Sequence, residues 1–123
     1  NGGMHHDALI FSWTGTQSGI QAAKQGYDVI MCPAQICYFD MAHTSDINDW
    51  GARWANPISI TDILSWDPLE SVGTHLHNKI LGIQGTFWSE FTTRDQDARK
   101  LLFPRMATLA SVAWGTAHQY PAR

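Results

Sequence analysis

The sequence predicts an α/β fold built on a parallel sheet. Three short apolar segments, at 9–13, 28–32 and 80–88, have the composition of buried strands. A helical segment at 17–25 separates the first two, and Gly26 is expected to end that helix. Two parallel strands joined by a helix form a β-α-β unit, so the carboxyl ends of the strands should lie at one edge of the sheet.

The rest of the chain divides into a long aromatic stretch and a helical end. Residues 34–66 show no clear strand or helix pattern, and we expect them to form a long, functional loop. The dipeptide Asp67-Pro68 has the residue types of a helix start. Residues 95–114 should form one broken helix or two short ones, with the break at Pro104. Three strands and their helices cannot easily cover both faces of a parallel sheet, which indicates part of a barrel or of a larger sheet.

The composition argues against an intrinsically disordered, nucleic-acid-binding or membrane-spanning chain. The 123 residues are 44% hydrophobic and 15% charged, which argues against intrinsic disorder. The net charge of −3 leaves no basic surplus for nucleic acid, and no apolar run reaches the roughly 18–20 residues that span a bilayer. Six Trp are present, and their rings suit either a core or stacking on sugars. The start has no pattern of a secretory signal, and Asn1 in place of an initiator Met indicates a piece of something longer.

Aromatic and acidic residues follow all three predicted strands. Trp13 ends the first, Tyr38 and Asp40 follow the second, and Trp88 and Glu90 end the third. Functional residues of parallel α/β folds lie at these carboxyl ends. Carboxylates accept hydrogen bonds from sugar hydroxyls, and aromatic rings pack on the C–H faces of sugars. These five residues are therefore candidates for a sugar site, and the alternative is that the aromatics cap a core.

Three segments of the chain resemble a known family. They are CYFDM at 37–41, GIQGTFWSE at 82–90 and FPRMATLA at 103–110. In order and separation they are similar to the C-terminal part of the catalytic domain of family 20 glycoside hydrolases, the β-N-acetylhexosaminidases. The resemblance covers about residues 9–114. It implies a partial TIM (β/α)8 barrel of about the last three β/α units, with residues 1–123 as a C-terminal fragment of the catalytic barrel.

The resemblance also implies a role for each candidate. Trp13 and Trp88 would wall the pocket for the acetamido group, and the Tyr38 hydroxyl would hydrogen-bond its carbonyl oxygen. Asp40 and Glu90 would bind hydroxyls of the non-reducing sugar. In this family the acetamido oxygen of the substrate is the nucleophile, so these residues act by positioning. No cofactor and no metal are predicted.

The catalytic Asp-Glu pair of the family has no counterpart in this sequence. The chain contains no Asp-Glu dipeptide, and its only glutamates are Glu70 and Glu90. The isolated chain is therefore predicted not to hydrolyse glycosides. Its expected partners are an amino-sugar glycoside and either a second copy of the chain or the missing part of the barrel. The family suggests a secreted, periplasmic or lysosomal-type compartment.

Two other function classes stay open at this point. The Trp-rich face would also suit a non-catalytic carbohydrate-binding module. A Ser- or Cys-based hydrolase using Cys32 or Cys37 with a histidine is weaker, because neither Cys lies in a recognisable nucleophile turn. Both cysteines are expected to be buried thiols, with a short-loop disulfide as the alternative. His75-x-His77 has a chelating spacing but no further ligands to complete a metal site, and Arg105 could pair with a buried acid.

Overall fold

A parallel sheet organises the first part of the molecule. The computed structural model describes residues 4–115. These residues divide into two units, the first with the residues up to Pro33 and Asp67–Gln84, the second with Ala34–Trp66 and the residues from Gly85 onward. The described sheet has three strands in the order β1-β2-β3 and belongs to the first unit, so the predicted α/β class with a parallel sheet is confirmed.

The first unit contains the predicted β-α-β element. Strand β1 (Leu9–Ser12), helix α1 (Gln17–Lys24) and strand β2 (Asp28–Met31) follow one another, and β1 pairs with β2 in parallel. Each lies within one residue of its predicted bounds. Strand β3 (Ile80–Ile83) pairs in parallel with β2 and follows a 3₁₀ helix at Thr74–Lys79.

Burial explains how the sheet and its crossover helix hold together. Val29 and Met31 of β2 are completely buried, and Ile20 and Ala23 lie on the buried side of α1. The backbone of Gly26, at φ +95°, takes the left-handed conformation that commonly ends a helix, as predicted.

The third strand is shorter than predicted. It ends at Ile83 rather than at Trp88, because the backbone beyond it finds other partners. The N–H of Thr86 donates to the carbonyl of Cys37 at 2.9 Å, and the carbonyl of Thr86 accepts from the N–H of Phe39 at 2.8 Å. These bonds join Thr86 to a segment of the second unit, outside the sheet.

Short helices make up much of the second unit. They are α2 (Ala34–Cys37), α3 (Ile60–Ser65), α4 (Asp95–Leu102) and α5 (Arg105–Ala113). The break between α4 and α5 falls at Pro104, so the prediction of two short helices is confirmed.

The expectation of one long loop at 34–66 is wrong at both ends, where α2 and α3 form. Helix α3 begins with a capping box, in which Ser59 Oγ accepts from the N–H of Asp62 at 3.1 Å and Asp62 Oδ2 accepts from the N–H of Ser59 at 2.8 Å. The Ser-x-x-Asp spacing was a readable signal for this helix. The helix predicted at Asp67 is a turn instead, where the carboxylate of Asp67 accepts from the N–H of Leu69 at 2.9 Å.

Arg105 is the most unusual residue of the second unit, since its side chain is completely buried. Its guanidinium donates to the carbonyls of Leu101, Ile58 and Phe39, at N···O distances of 2.6 to 3.1 Å. Backbone carbonyls of three separate segments take its hydrogen-bond donors, and the expected buried acid, Asp40, acts on it through its charge. Burial lowers the pKa of Arg105 to about 10, with nearby Asp49 and Asp40 opposing the shift, so the side chain stays charged at neutral pH.

Neither the two cysteines nor His75 and His77 show the features of a reactive site. Cys32 and Cys37 are buried thiols, as expected, and no disulfide joins them. Burial raises the pKa of Cys32, the opposite of what a nucleophilic thiolate needs. His75 and His77 lie in the 3₁₀ helix, and a ring nitrogen of His77 lies 3.0 Å from the carbonyl oxygen of Val72. Between residues 4 and 115, no helix is both long and apolar enough to cross a membrane.

Candidate functional site

One parallel bridge brings two of the predicted site segments together. Tyr38 and Thr86 form this bridge in the second unit, through the two backbone hydrogen bonds of Thr86 described above. The segment that carries Tyr38 and Asp40 therefore runs beside the segment that carries Trp88 and Glu90. Trp88 and Glu90 were predicted to lie at a strand end. Their actual position depends on this bridge, since β3 ends five residues before Trp88.

Two indoles flank the ring of Tyr38. The Tyr38 ring lies 5.8 Å from that of Trp54, edge-on at 81°, and 6.3 Å from that of Trp88, tilted by 45°. Tyr38 itself is buried, whereas Trp54 is 59% and Trp88 52% exposed. The three rings thus form a half-open aromatic surface with the phenol at its base. We call Tyr38, Asp40, Trp54 and Trp88 the Tyr38 cluster.

Asp40 is buried, and its carboxyl group is within hydrogen-bond reach of the backbone N–H of Trp88. Burial raises the pKa of Asp40, and the charge of Glu90 adds to the rise. Backbone N–H groups of Asp40 and Trp88 and the charge of Arg105 act in the opposite direction. Asp40 Oδ1 is buried and has no hydrogen-bond partner among the described residues. A buried carboxylate oxygen of this kind is costly unless a donor reaches it, so it is suited to accept a hydrogen bond from a ligand.

Sequence reasoning missed Trp54 as a site residue. The residue was visible only as one of several aromatics in the stretch 34–66, and no strand end marked it. The position of Trp54 depends on the loop between Met41 and Ala52, whose two ends lie side by side. Met41 and Ala52 form a parallel bridge, and the N–H of Ala52 donates to the carbonyl of Asp40 at 2.7 Å. Trp54 follows two residues later and meets the Tyr38 ring.

Trp13 belongs to the first unit, while the other four predicted site residues belong to the second. It follows β1 directly, and its side chain is 49% exposed.

The Tyr38 cluster contains the types of side chain that bind a sugar. The half-exposed indoles and the carboxyl group of Asp40 offer stacking surfaces and a hydrogen-bond acceptor together, a combination that suits a sugar. Among the described residues, no group of three or more His, Cys, Asp or Glu side chains could hold a metal ion.

Comparison with known proteins names the family. The catalytic domain of glycosyl hydrolase family 20 matches residues 2–117. The chain belongs to this family, whose catalytic domains are TIM barrels.

Individual relatives agree with this assignment. A β-hexosaminidase from Vibrio furnissii is 33% identical over 106 residues, which are 85% of this chain and 17% of that protein. A β-N-acetylhexosaminidase from Cellulomonas fimi is 30% identical over 77% of this chain and 19% of its own length. The structure of a family 20 exo-β-N-acetylglucosaminidase from Vibrio harveyi, in complex with N-acetylglucosamine, matches with a TM-score of 0.85 at 29% identity. It covers 93% of this chain and 18% of that chain. This chain therefore spans about a fifth of the length of these relatives.

Proposed function

We propose that this chain is the C-terminal part of a β-N-acetylhexosaminidase catalytic barrel, about its last three β/α units. In this proposal the chain carries one side of a pocket for a terminal N-acetylglucosamine or N-acetylgalactosamine. One observation carries the proposal: Oδ1 of Asp40 is buried and has no hydrogen-bond partner among the described residues, in a segment whose Tyr38 ring meets the half-exposed indoles of Trp54 and Trp88. A sugar hydroxyl would satisfy that oxygen while the ring of the sugar packs on an indole.

In this proposal each candidate residue has its own role in binding the sugar. Tyr38 lies at the base of the aromatic surface, where its hydroxyl would hold the acetamido carbonyl oxygen of the substrate under the anomeric carbon. The indole of Trp88 would wall the acetamido group, and the resemblance to family 20 implies the same role for Trp13. Asp40 and Glu90 would accept hydrogen bonds from sugar hydroxyls away from the reacting centre. Positioning of this kind supplies much of the rate when the nucleophile belongs to the substrate itself.

The proposal places the general acid outside this chain. The sequence has no Asp-Glu pair, so a second region of the protein would supply the group that protonates the leaving oxygen. We predict that the isolated 123-residue chain releases no chromogenic aglycone from an N-acetylglucosaminide. The control is the same chain with Glu90→Gln. Release by the wild-type chain above that control would show that the acid is present after all.

The division of roles is tested in the complete enzyme that contains this chain. Tyr38→Phe removes a hydrogen bond to the nucleophilic oxygen, which matters most in the transition state, so kcat should fall more than KM rises. Glu90→Gln should also raise KM, because it removes a contact that the bound sugar already makes. The same pattern of kcat and KM in both variants would contradict this assignment. If the complete protein binds amino sugars but has no turnover at all, the alternative is a carbohydrate-binding module.

A further inference from the structure

The loop His43–Gly51 connects the two sides of the Met41–Ala52 bridge and is built mostly from polar, exposed residues. Ile47, its one large aliphatic side chain, is 89% exposed, so the loop has no apolar core of its own. Its shape must therefore come from hydrogen bonds and from its two ends. Gly51 lies at the second end, with φ +144°, where a Cβ atom would come within 2.6 Å of the Ala42 backbone.

Arg53 is the side chain that closes this loop. Its guanidinium donates to the carbonyl of Asp49 at 2.6 Å, to the carbonyl of Asp46, and more weakly to the carbonyl of Thr44 at 3.4 Å. One planar fork thus binds three carbonyls of the loop, an arrangement that the single ammonium of a lysine cannot reproduce. Asp49 completes the closure from within, because its carboxylate accepts from both the N–H and the hydroxyl of Thr44, at 2.7 and 2.8 Å.

The position of Arg53 in the chain links this loop to the aromatic surface. Arg53 lies between Ala52, which is hydrogen-bonded to the Asp40 carbonyl, and Trp54, which meets the Tyr38 ring edge-on. A change in the direction of the backbone at Arg53 would therefore move the Trp54 indole. The side chain of Trp54 is 59% exposed, so the surrounding residues cover less than half of its surface.

We propose that Arg53 is a positioning residue for sugar binding, which acts by fixing the loop His43–Gly51 and thereby the indole of Trp54 against Tyr38. This inference rests on the proposed function. Arg53 touches no sugar in this scheme, and its effect passes through Trp54. Loss of the guanidinium should loosen the indole and weaken binding of the sugar before it affects the chemical step.

The test is a double-mutant cycle in the complete enzyme, with kcat and KM measured on a chromogenic N-acetylglucosaminide. Arg53→Ala and Trp54→Ala should each raise KM by about tenfold, the scale of one aromatic contact, with a smaller change in kcat. The double variant should be no worse than Trp54→Ala alone, because both changes remove the same contact. Arg53→Lys should resemble Arg53→Ala.

Matched controls separate this role from a general loss of structure. Arg94→Ala removes another exposed arginine of the second unit, which pairs with Asp97 at 2.9 Å, and should leave kcat and KM unchanged. A smaller fraction of folded enzyme would lower the apparent kcat without changing KM. Additive effects of Arg53→Ala and Trp54→Ala, or an unchanged KM in Arg53→Ala, would overturn the inference. The proposed function would fail differently, through unchanged turnover in Tyr38→Phe.

Discussion

Replacement of Arg105 by methionine should destabilise the chain strongly without leaving a large cavity. Methionine fills much of the volume of the side chain, so the main loss is that of the guanidinium donors. The carbonyls of Leu101, Ile58 and Phe39 would then be buried without a partner from this side chain. An unsatisfied buried group costs about 1–3 kcal/mol, so three of them predict a loss of at least roughly 3 kcal/mol in the free energy of unfolding. This is a large part of the about 5–15 kcal/mol by which proteins are stable.

The assay is urea unfolding of the 123-residue chain, followed by far-UV circular dichroism at one fixed protein concentration. Arg94→Met is the control, because Arg94 is 65% exposed and its ion pair with Asp97 should contribute about 0–1 kcal/mol. A difference below about 1 kcal/mol between Arg105→Met and wild type would refute the reasoning, since it would mean that water or the relaxed backbone replaces the lost donors. Because the Phe39 carbonyl lies between Tyr38 and Asp40, the same variant should also disturb the Tyr38 cluster.

Two further predictions concern the charge of Asp40 and the edges of the sheet. Burial raises the pKa of Asp40, so this group is protonated at a higher pH than an ordinary aspartate. When pH is lowered, sugar binding that needs the carboxylate should therefore be lost at that higher pH. Because folding disfavours the ionised form of Asp40, the free energy of unfolding should fall as pH rises from the pKa of the unfolded state to that of the folded state. Asp40→Asn should therefore raise the free energy of unfolding at pH 7 and weaken sugar binding. A variant that is less stable and binds sugar normally would contradict this. In the described sheet β1 and β3 each pair on one side only, and Leu9, Phe11 and Leu81 are 45–57% exposed, so the isolated chain should self-associate. Light scattering at micromolar concentration checks this, and a cooperatively unfolding monomer would show that the strand edges need no partner.

Local patterns were sufficient for the first half of the fold. The β1-α1-β2 element was predictable because strand composition, a short amphipathic helix and Gly26 are all read within a few neighbouring residues. The break at Pro104 was predictable for the same reason, since proline disrupts the interior of a helix and is accepted only near its start. The identity of the candidate residues also came from the sequence, through the aromatic and acidic motifs and their resemblance to family 20.

Contacts between distant segments decided the rest. β3 ends at Ile83 because Thr86 pairs with Tyr38, 48 positions away in the chain by number, and no periodicity records that choice. Arg105 binds carbonyls from three segments, so its partners could not be read from its neighbours. Trp54 meets Tyr38 only because a bridge between Met41 and Ala52 returns the loop to its start.

The sequence by itself therefore determined the fold class, the family and the residue types of the site, because each depends on short motifs. The tertiary structure alone decided which of these side chains meet, which carboxyl group is buried and which oxygen lacks a partner. Burial and hydrogen-bond satisfaction are properties of surroundings assembled from segments far apart in the chain. Asp40 shows the difference. The motif at 37–41 made it a candidate site residue, whereas the rise in its pKa follows from its burial and from the nearby charge of Glu90, which only the folded structure provides.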